Sequence, residues 1–224
     1  MSRKQRKVGK VFKVFCEGDT EYNYIDEMRR QLKLSIALKP INMRGGGYSS
    51  FLEDIRVDSN TNCVAKFIII DGDRATCDVN EQNQLKKLLE YCIVQNISER
   101  TPHFLIVNTP DFEYIACLHV PSYRGKNVAK FIVDELGYGS VDEFKADSKV
   151  YNVLNTKGNS VKIMLDSLKR KNCFIVNKYF YDERKFSMTA ETKYDWDKMG
   201  NRGSNINEFF EIVLGIHTKE KVKG

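Results

Sequence analysis

Several things are scarce in this 224-residue chain, and each absence narrows what it can be. It has only three histidines, His103, His119 and His217, and none stands at ligand spacing to a cysteine pair. None of its six cysteines forms a Cys-x-x-Cys motif, so a structural zinc site is not expected. No apolar run approaches the roughly 18 residues of a membrane span. The longest apolar stretch near the start, Val11 to Cys16, is broken by Lys13 and is too short for a signal-peptide core. A chain of this length needs no disulfide staples, so the cysteines are expected to be reduced core residues of a cytoplasmic protein. Repeats are absent, and no low-complexity tract occurs outside the two ends.

Charge of one sign is also missing from the body. Lys and Arg number 36 against 30 Asp and Glu, a net +6. Residues 1–10 carry Arg3, Lys4, Arg6, Lys7 and Lys10 with no acid, and residues 219–224 carry three lysines against Glu220. The chain between these ends is left at −1. A near-neutral body with basic ends is not a basic DNA-binding module. The ends are expected to recruit nucleic acid nonspecifically and in a salt-dependent way.

What is present is a globular composition, 42% hydrophobic and 11% aromatic, long enough for one sizeable core. The patterning predicts a strand over 10–16, then a helix capped by Asp19 or Thr20 that carries Tyr24, Ile25, Met28 and Leu32. A second strand is predicted over 35–43 and a helix over 48–57. The clearest strand is Val64 to Ile70, a nearly continuous apolar run of the kind buried on both sheet faces. A helix over 81–95 and a strand over 103–107 follow. Strand and helix alternate to this point, which predicts an α/β layer with a mostly parallel sheet over 11–110. The segment 111–218 reads as a mainly helical extension, with helices over 111–120, 127–136, 141–149, 157–170 and 205–215. Cys173 to Tyr179 suits either a short strand or a helix continuation, and 200–204 reads as a loop.

Parallel sheets gather functional groups beyond the carboxyl ends of their strands. Glu17 ends the first predicted strand, and Asp71 and Asp73 flank a glycine at the end of the third. Carboxylates grouped in this way suit a hard cation such as Mg²⁺ or Mn²⁺, which polarises a phosphodiester. Glu17 can instead carry a proton if its neighbours raise its pKa. Strand-end acids also cap the helices that follow them, and spacing alone leaves both readings open.

The run Cys16-Glu17-Gly18-Asp19-Thr20-Glu21 followed by Ile70-Asp71-Gly72-Asp73-Arg74 resembles the Toprim arrangement of a glutamate and a later Asp-x-Asp. More narrowly, Asn108-Thr109-Pro110-Asp111-Phe112-Glu113 running to Leu118-His119 is similar to a segment of RloB-like proteins, as are the segment headed by Lys157 and the turn Gly203-Ser204-Asn205-Ile206. Tyr114-Ile115-Ala116-Cys117 departs from that family's tryptophan-containing stretch. The resemblance spans most of 10–215. It implies a Toprim-like sheet and metal-dependent phosphodiester cleavage in anti-phage defence, on tRNA or DNA. It also implies an ABC-type ATPase partner and leaves a homodimer open. Carried over by position, Glu17 is a general acid/base or metal contact, Asp71 and Asp73 are metal ligands, and Glu113 completes the site.

Glu21 lies one turn after Glu17 and suits either the site or the helix dipole. His119 reads first as a core histidine. Arg44-Gly45-Gly46-Gly47 could cradle a phosphate but lacks the Gly-Lys-[Ser/Thr] ending of a Walker loop, which favours a plain turn. Arg124, Lys126, Lys130 and Lys157 are candidate nucleic-acid contacts, with Tyr123 stacking on a base, against the alternative of a solvated face. Two other functions stay open. Asp71-Gly72-Asp73-Arg74-Ala75-Thr76 is similar to the Asp-x-Asp-x-Thr of haloacid-dehalogenase-like phosphatases, though there it follows the first strand. The other is a non-catalytic Toprim-fold binding subunit.

Overall fold

A computed structural model describes residues 10–34, 36–97, 101–168, 173–182, 185 and 187–215. The basic ends, 1–9 and 216–224, lie outside the described residues. The first half alternates as the patterning predicts. Strand β1 (Val11–Cys16) leads to helix α1 (Asp19–Gln31), β2 (Ala37–Asn42), α2 (Tyr48–Val57) and β3 (Cys63–Asp71). Two helices, α3 (Asp73–Cys77) and α4 (Val79–Ile97), separate β3 from β4 (His103–Thr109).

These strands and β7 (Gly203–Ser204) form one sheet in the order β2-β1-β3-β4-β7. The first four are parallel, and only β7 runs antiparallel to β4. The chain steps from β1 outward to β2, then crosses back to β3 on the other side of β1. The boundary between β1 and β3 is thus a topological switch point, where the carboxyl ends of the strands open a crevice.

Alternate residues of the central strands feed two cores. Phe12, Val14, Phe67, Ile69, Phe104 and Ile106 pack with α1 and with the helices of the second half. Phe15, Ile68, Ile70, Leu105 and Val107 pack on the other face with α2 and α4. Burial on both faces is why β3 reads as an apolar run broken only by Lys66.

The second half is mainly helical: α5 (Phe112–Cys117), α6 (Val128–Asp134), α7 (Val141–Ala146), α8 (Val150–Val153), α9 (Val161–Leu168) and α10 (Ile206–Leu214). It also holds an antiparallel hairpin of β5 (Ile175–Asp182) and β6 (Ser187–Tyr194). The hairpin makes Ile175–Tyr179 strand and leaves Cys173 and Phe174 just outside it, and β6 has too few apolar residues to stand out in the sequence. The loop expected over 200–204 contributes Gly203 and Ser204 to the sheet edge. The predicted helix over 141–149 breaks after Ala146, and the one over 157–170 starts only at Val161. Lys157 instead sits at φ +54° in the preceding turn. No helix among the described residues is long and apolar enough to cross a membrane. The described cysteines are free, but only Cys16, Cys92 and Cys117 are buried; Cys77 is exposed, on the outer side of a short surface helix.

Candidate active site

Carboxylates from three chain segments, 17–21, 71–73 and the start of α5, meet at the switch point. Glu17 follows β1 directly and its backbone is fixed on both sides. Its N–H donates to the Ile69 carbonyl at 3.1 Å, and its carbonyl accepts from the Gly45 N–H at 2.9 Å. Oε2 of Glu17 accepts from the Asp71 backbone N–H at 2.8 Å. Asp71 closes β3, and Gly72 then turns the chain so tightly against β4 that a Cβ there would lie 3.0 Å from Thr109 Oγ1. Asp73 opens α3. Glu113 enters from the first turn of α5, where its Oε1 accepts from Thr20 Oγ1 at 2.8 Å. Glu21, in the first turn of α1, is buried beside them.

Neither Asp19 nor Thr20 caps α1 as the sequence predicts. Gly18 occupies the N-cap position without a side-chain bond, because the Thr20 hydroxyl serves Glu113 and Asp19 accepts from Asn42 Nδ2 at 2.6 Å.

Glu17, Asp19, Glu21, Asp71, Asp73 and Glu113 line one cavity of about 280 Å³, together with Thr20, Gly18, Gly45, Arg74 and Lys145. Burial raises the pKa of Glu17, and the charges of Asp73 and Glu113 add to it against the Asp71 N–H and Arg74. Glu21 is pushed up to about 8 by burial and then by Glu113 and Glu17. Asp71 rises through burial and the charges of Glu21, Glu17 and Glu113. Burial also raises Glu113 and Asp111. Lys145 loses solvation, which would lower it, yet Glu113, Asp71, Asp111 and Glu21 outweigh that and hold it above its ordinary value. The cavity therefore holds more carboxyl groups than Arg74 and Lys145 can pair with, so ionising Glu17, Glu21, Asp71 and Glu113 together is unfavourable without a further cation.

Compared with family models, curated proteins and solved structures, the chain matches none.

Whether these residues suit a divalent ion turns on donor chemistry and room. Among the described residues no three His, Cys, Asp or Glu side chains are drawn together as a ready coordination sphere. The donors are all carboxylate oxygens, the kind Mg²⁺ and Mn²⁺ take, and Mg²⁺ keeps several waters while binding through one or two carboxylates. A cavity of about 280 Å³ has space for such waters at roughly 30 Å³ each. The residues fit the ion on those grounds.

All four acids singled out in the sequence, Glu17, Asp71, Asp73 and Glu113, line this cavity, and Glu21 joins them. Arg124, Lys126, Lys130 and Lys157 do not line it. Arg124 donates to the Pro121 carbonyl at 2.6 Å, and Lys130 lies 4.0 Å from Asp134 on the exposed side of α6. Tyr123 is buried against Phe131, with ring centroids 4.7 Å apart, so it offers no face to a base. His119 is a core residue: its Nε2 pairs with the Tyr24 hydroxyl at 2.8 Å, and burial holds its pKa down near 4. The glycine loop is tied to the site through the Gly45 N–H on the Glu17 carbonyl, and Gly45 lines the cavity. Lys145 and Arg74 in the cavity wall, and Asn108 behind Asp71, carry no signal in the sequence as site residues. Lys145 comes from a six-residue helix far along the chain, with no motif around it.

Proposed function

We propose that the chain is a divalent-metal-dependent nuclease of the Toprim kind, hydrolysing phosphodiester bonds at the crevice between β1 and β3. What carries this reading is the convergence of carboxylates from α1, the ends of β1 and β3, and α5 on one cavity at the switch point. Asp71, Asp73 and Glu113 would hold Mg²⁺ or Mn²⁺. When bound, the ion offsets phosphate charge and favours ionisation of water.

The protein's own groups supply orientation and proton transfer. Glu17 Oε2 is occupied by the Asp71 N–H, which fixes the carboxyl and leaves Oε1 turned toward Arg74 and the cavity. Oε1 is thus the atom that takes a proton from the attacking water or returns one to the leaving oxygen. Thr20 holds Glu113 in place, and Tyr48 fixes the Asp71 backbone by donating to its carbonyl at 2.6 Å. Action in anti-phage defence and control by an ABC-type ATPase rest on the sequence resemblance to RloB-like proteins. In the phosphatase reading Glu17 has no role, although it shares the cavity.

The test is cleavage of end-labelled tRNA, single-stranded DNA and plasmid in Mn²⁺, beside a small phosphomonoester. Wild-type protein should cut a polymer, and Glu17→Gln and Asp71→Asn should each lose about 100-fold or more. Hydrolysis of the small ester without polymer cleavage would instead favour the phosphatase.

A further inference from the structure

Two pairs of lysine and arginine side chains near the sheet contrast sharply. Lys13 and Lys66, buried in β1 and β3, are satisfied internally. Lys13 Nζ donates to both carboxylate oxygens of Asp58 at 2.9 and 2.7 Å and also to the Ser59 carbonyl. Lys66 Nζ donates to the Asp58 carbonyl at 2.8 Å and lies 3.0 Å from Asp58 Oδ2. These are structural ions with short, charge-assisted bonds.

Arg74 and Lys145 differ in every respect. Each stands 3.7 Å from a single carboxylate oxygen, Glu17 Oε1 for Arg74 and Glu113 Oε1 for Lys145. That separation is too long for a hydrogen bond. Both side chains are half-exposed, 43% and 48%, and both line the cavity, one from α3 and one from α7. The Arg74 guanidinium reaches the cavity beside the glycine loop, where Nη1 lies within ordinary van der Waals reach, 3.5 Å, of the Cβ position of Gly47. Asn23 anchors the Lys145 backbone by donating to its carbonyl at 3.1 Å. One cavity thus offers oxygen ligands for a cation and two loosely paired cationic donors for an anion. A ligand that brings both together is a phosphate ester with its divalent ion.

We infer that Arg74 and Lys145 are the substrate-phosphate contacts of this site, each donating to a nonbridging oxygen. The inference rests on the nuclease reading and deepens it. It also moves the phosphate contacts away from Arg124, Lys126, Lys130 and Lys157, which lie outside the cavity. Arginine matches two phosphate oxygens through its planar fork, whereas lysine acts as a point charge.

The test is fluorescence anisotropy of labelled 20-nucleotide single-stranded RNA and DNA with the full chain in Ca²⁺. Arg74→Gln and Lys145→Gln should each weaken binding about tenfold. Each should also reduce the slope of log affinity against log salt by about 0.7. Lys145→Arg should keep the slope, and Lys130→Gln should bind as wild type. Mn²⁺ binding and thermal unfolding are measured on the same variants. Wild-type affinity and slope in both glutamine variants overturn the inference and leave the nuclease reading standing. Loss of Mn²⁺ binding equal to that of Asp71→Asn also overturns it, because the cations would then only hold the carboxylates. Absence of polymer binding by the wild-type chain overturns it as well, and if Mn²⁺ binding is absent too, the nuclease reading falls with it.

Discussion

Asn108 shows how a single buried side chain ties the site to the rest of the molecule. Fully buried in β4, it donates from Nδ2 toward Asp71 Oδ1 at 3.4 Å and accepts from Ser204 Oγ at 2.8 Å, and its carbonyl accepts from the Gly72 N–H at 2.7 Å. Asn108→Ala leaves the Ser204 hydroxyl without its acceptor in the interior and should destabilise by about 1–3 kcal/mol in urea unfolding. A larger loss belongs to Asp58, the shared partner of Lys13 and Lys66. Asp58→Ala leaves two buried ammonium groups uncompensated and should cost about 3–5 kcal/mol at pH 7. Burial works to raise the Asp58 pKa, but its bonds to Lys13 and Lys66 prevail and hold it below the usual range. Its contribution is therefore present above the unfolded value and is lost as pH falls through the lower folded one. The gap between Asp58→Asn and wild type should shrink below about pH 4. Among site residues, Glu17 and the pair Asp71 and Asp73 were legible because each sits at a strand end beside a glycine. Lys145 was not, because nothing local distinguishes it from the other surface lysines of the helical half.

At the scale of elements, legibility followed length and burial. The strand β3 is buried on both faces and announces itself as an apolar run, while β1, β2 and β4 alternate with well-patterned helices. The five-residue α3 is too short to show a period, and it carries Arg74. Strand β6 escapes notice for a different reason: its sequence Ser187-Met188-Thr189-Ala190-Glu191-Thr192-Lys193-Tyr194 is held by its eight-residue register with β5. The hairpin is fastened to α10 through Glu208, which accepts from the Asn177 N–H at 2.7 Å and from Asn177 Nδ2 at 2.6 Å. Glu208→Ala should release this tie, lower stability by about 1–3 kcal/mol, and speed hydrogen exchange in β5 and β6 ahead of β1 and β3. Uniform exchange across both sheets would argue that the hairpin is held by apolar packing alone. The two-residue β7 reads as a turn and has no strand pattern, yet it supplies Ser204 to Asn108 and so reaches Asp71.

The whole molecule pays for its site in charge. Glu17, Glu21, Asp71, Asp111 and Glu113 all have folded pKa values raised chiefly by burial, with Glu21 near 8. A raised carboxyl stabilises the fold below its unfolded pKa and loses that contribution as pH rises through the folded value. The metal-free protein should therefore melt at progressively lower temperature from about pH 5 to about pH 8, and Glu21→Gln should flatten the decline. Added Mg²⁺ should raise the melting temperature more at pH 8 than at pH 5, since a bound ion favours the folded, ionised cluster. The most direct measurement is Mn²⁺ binding at pH 7.5, followed by electron paramagnetic resonance of the free ion, on wild-type and Asp71→Asn protein of matched fold. The switch-point site predicts uptake by the wild-type chain and at least about tenfold weaker uptake by the variant. Equal binding by the two proteins, or none by either, would contradict it.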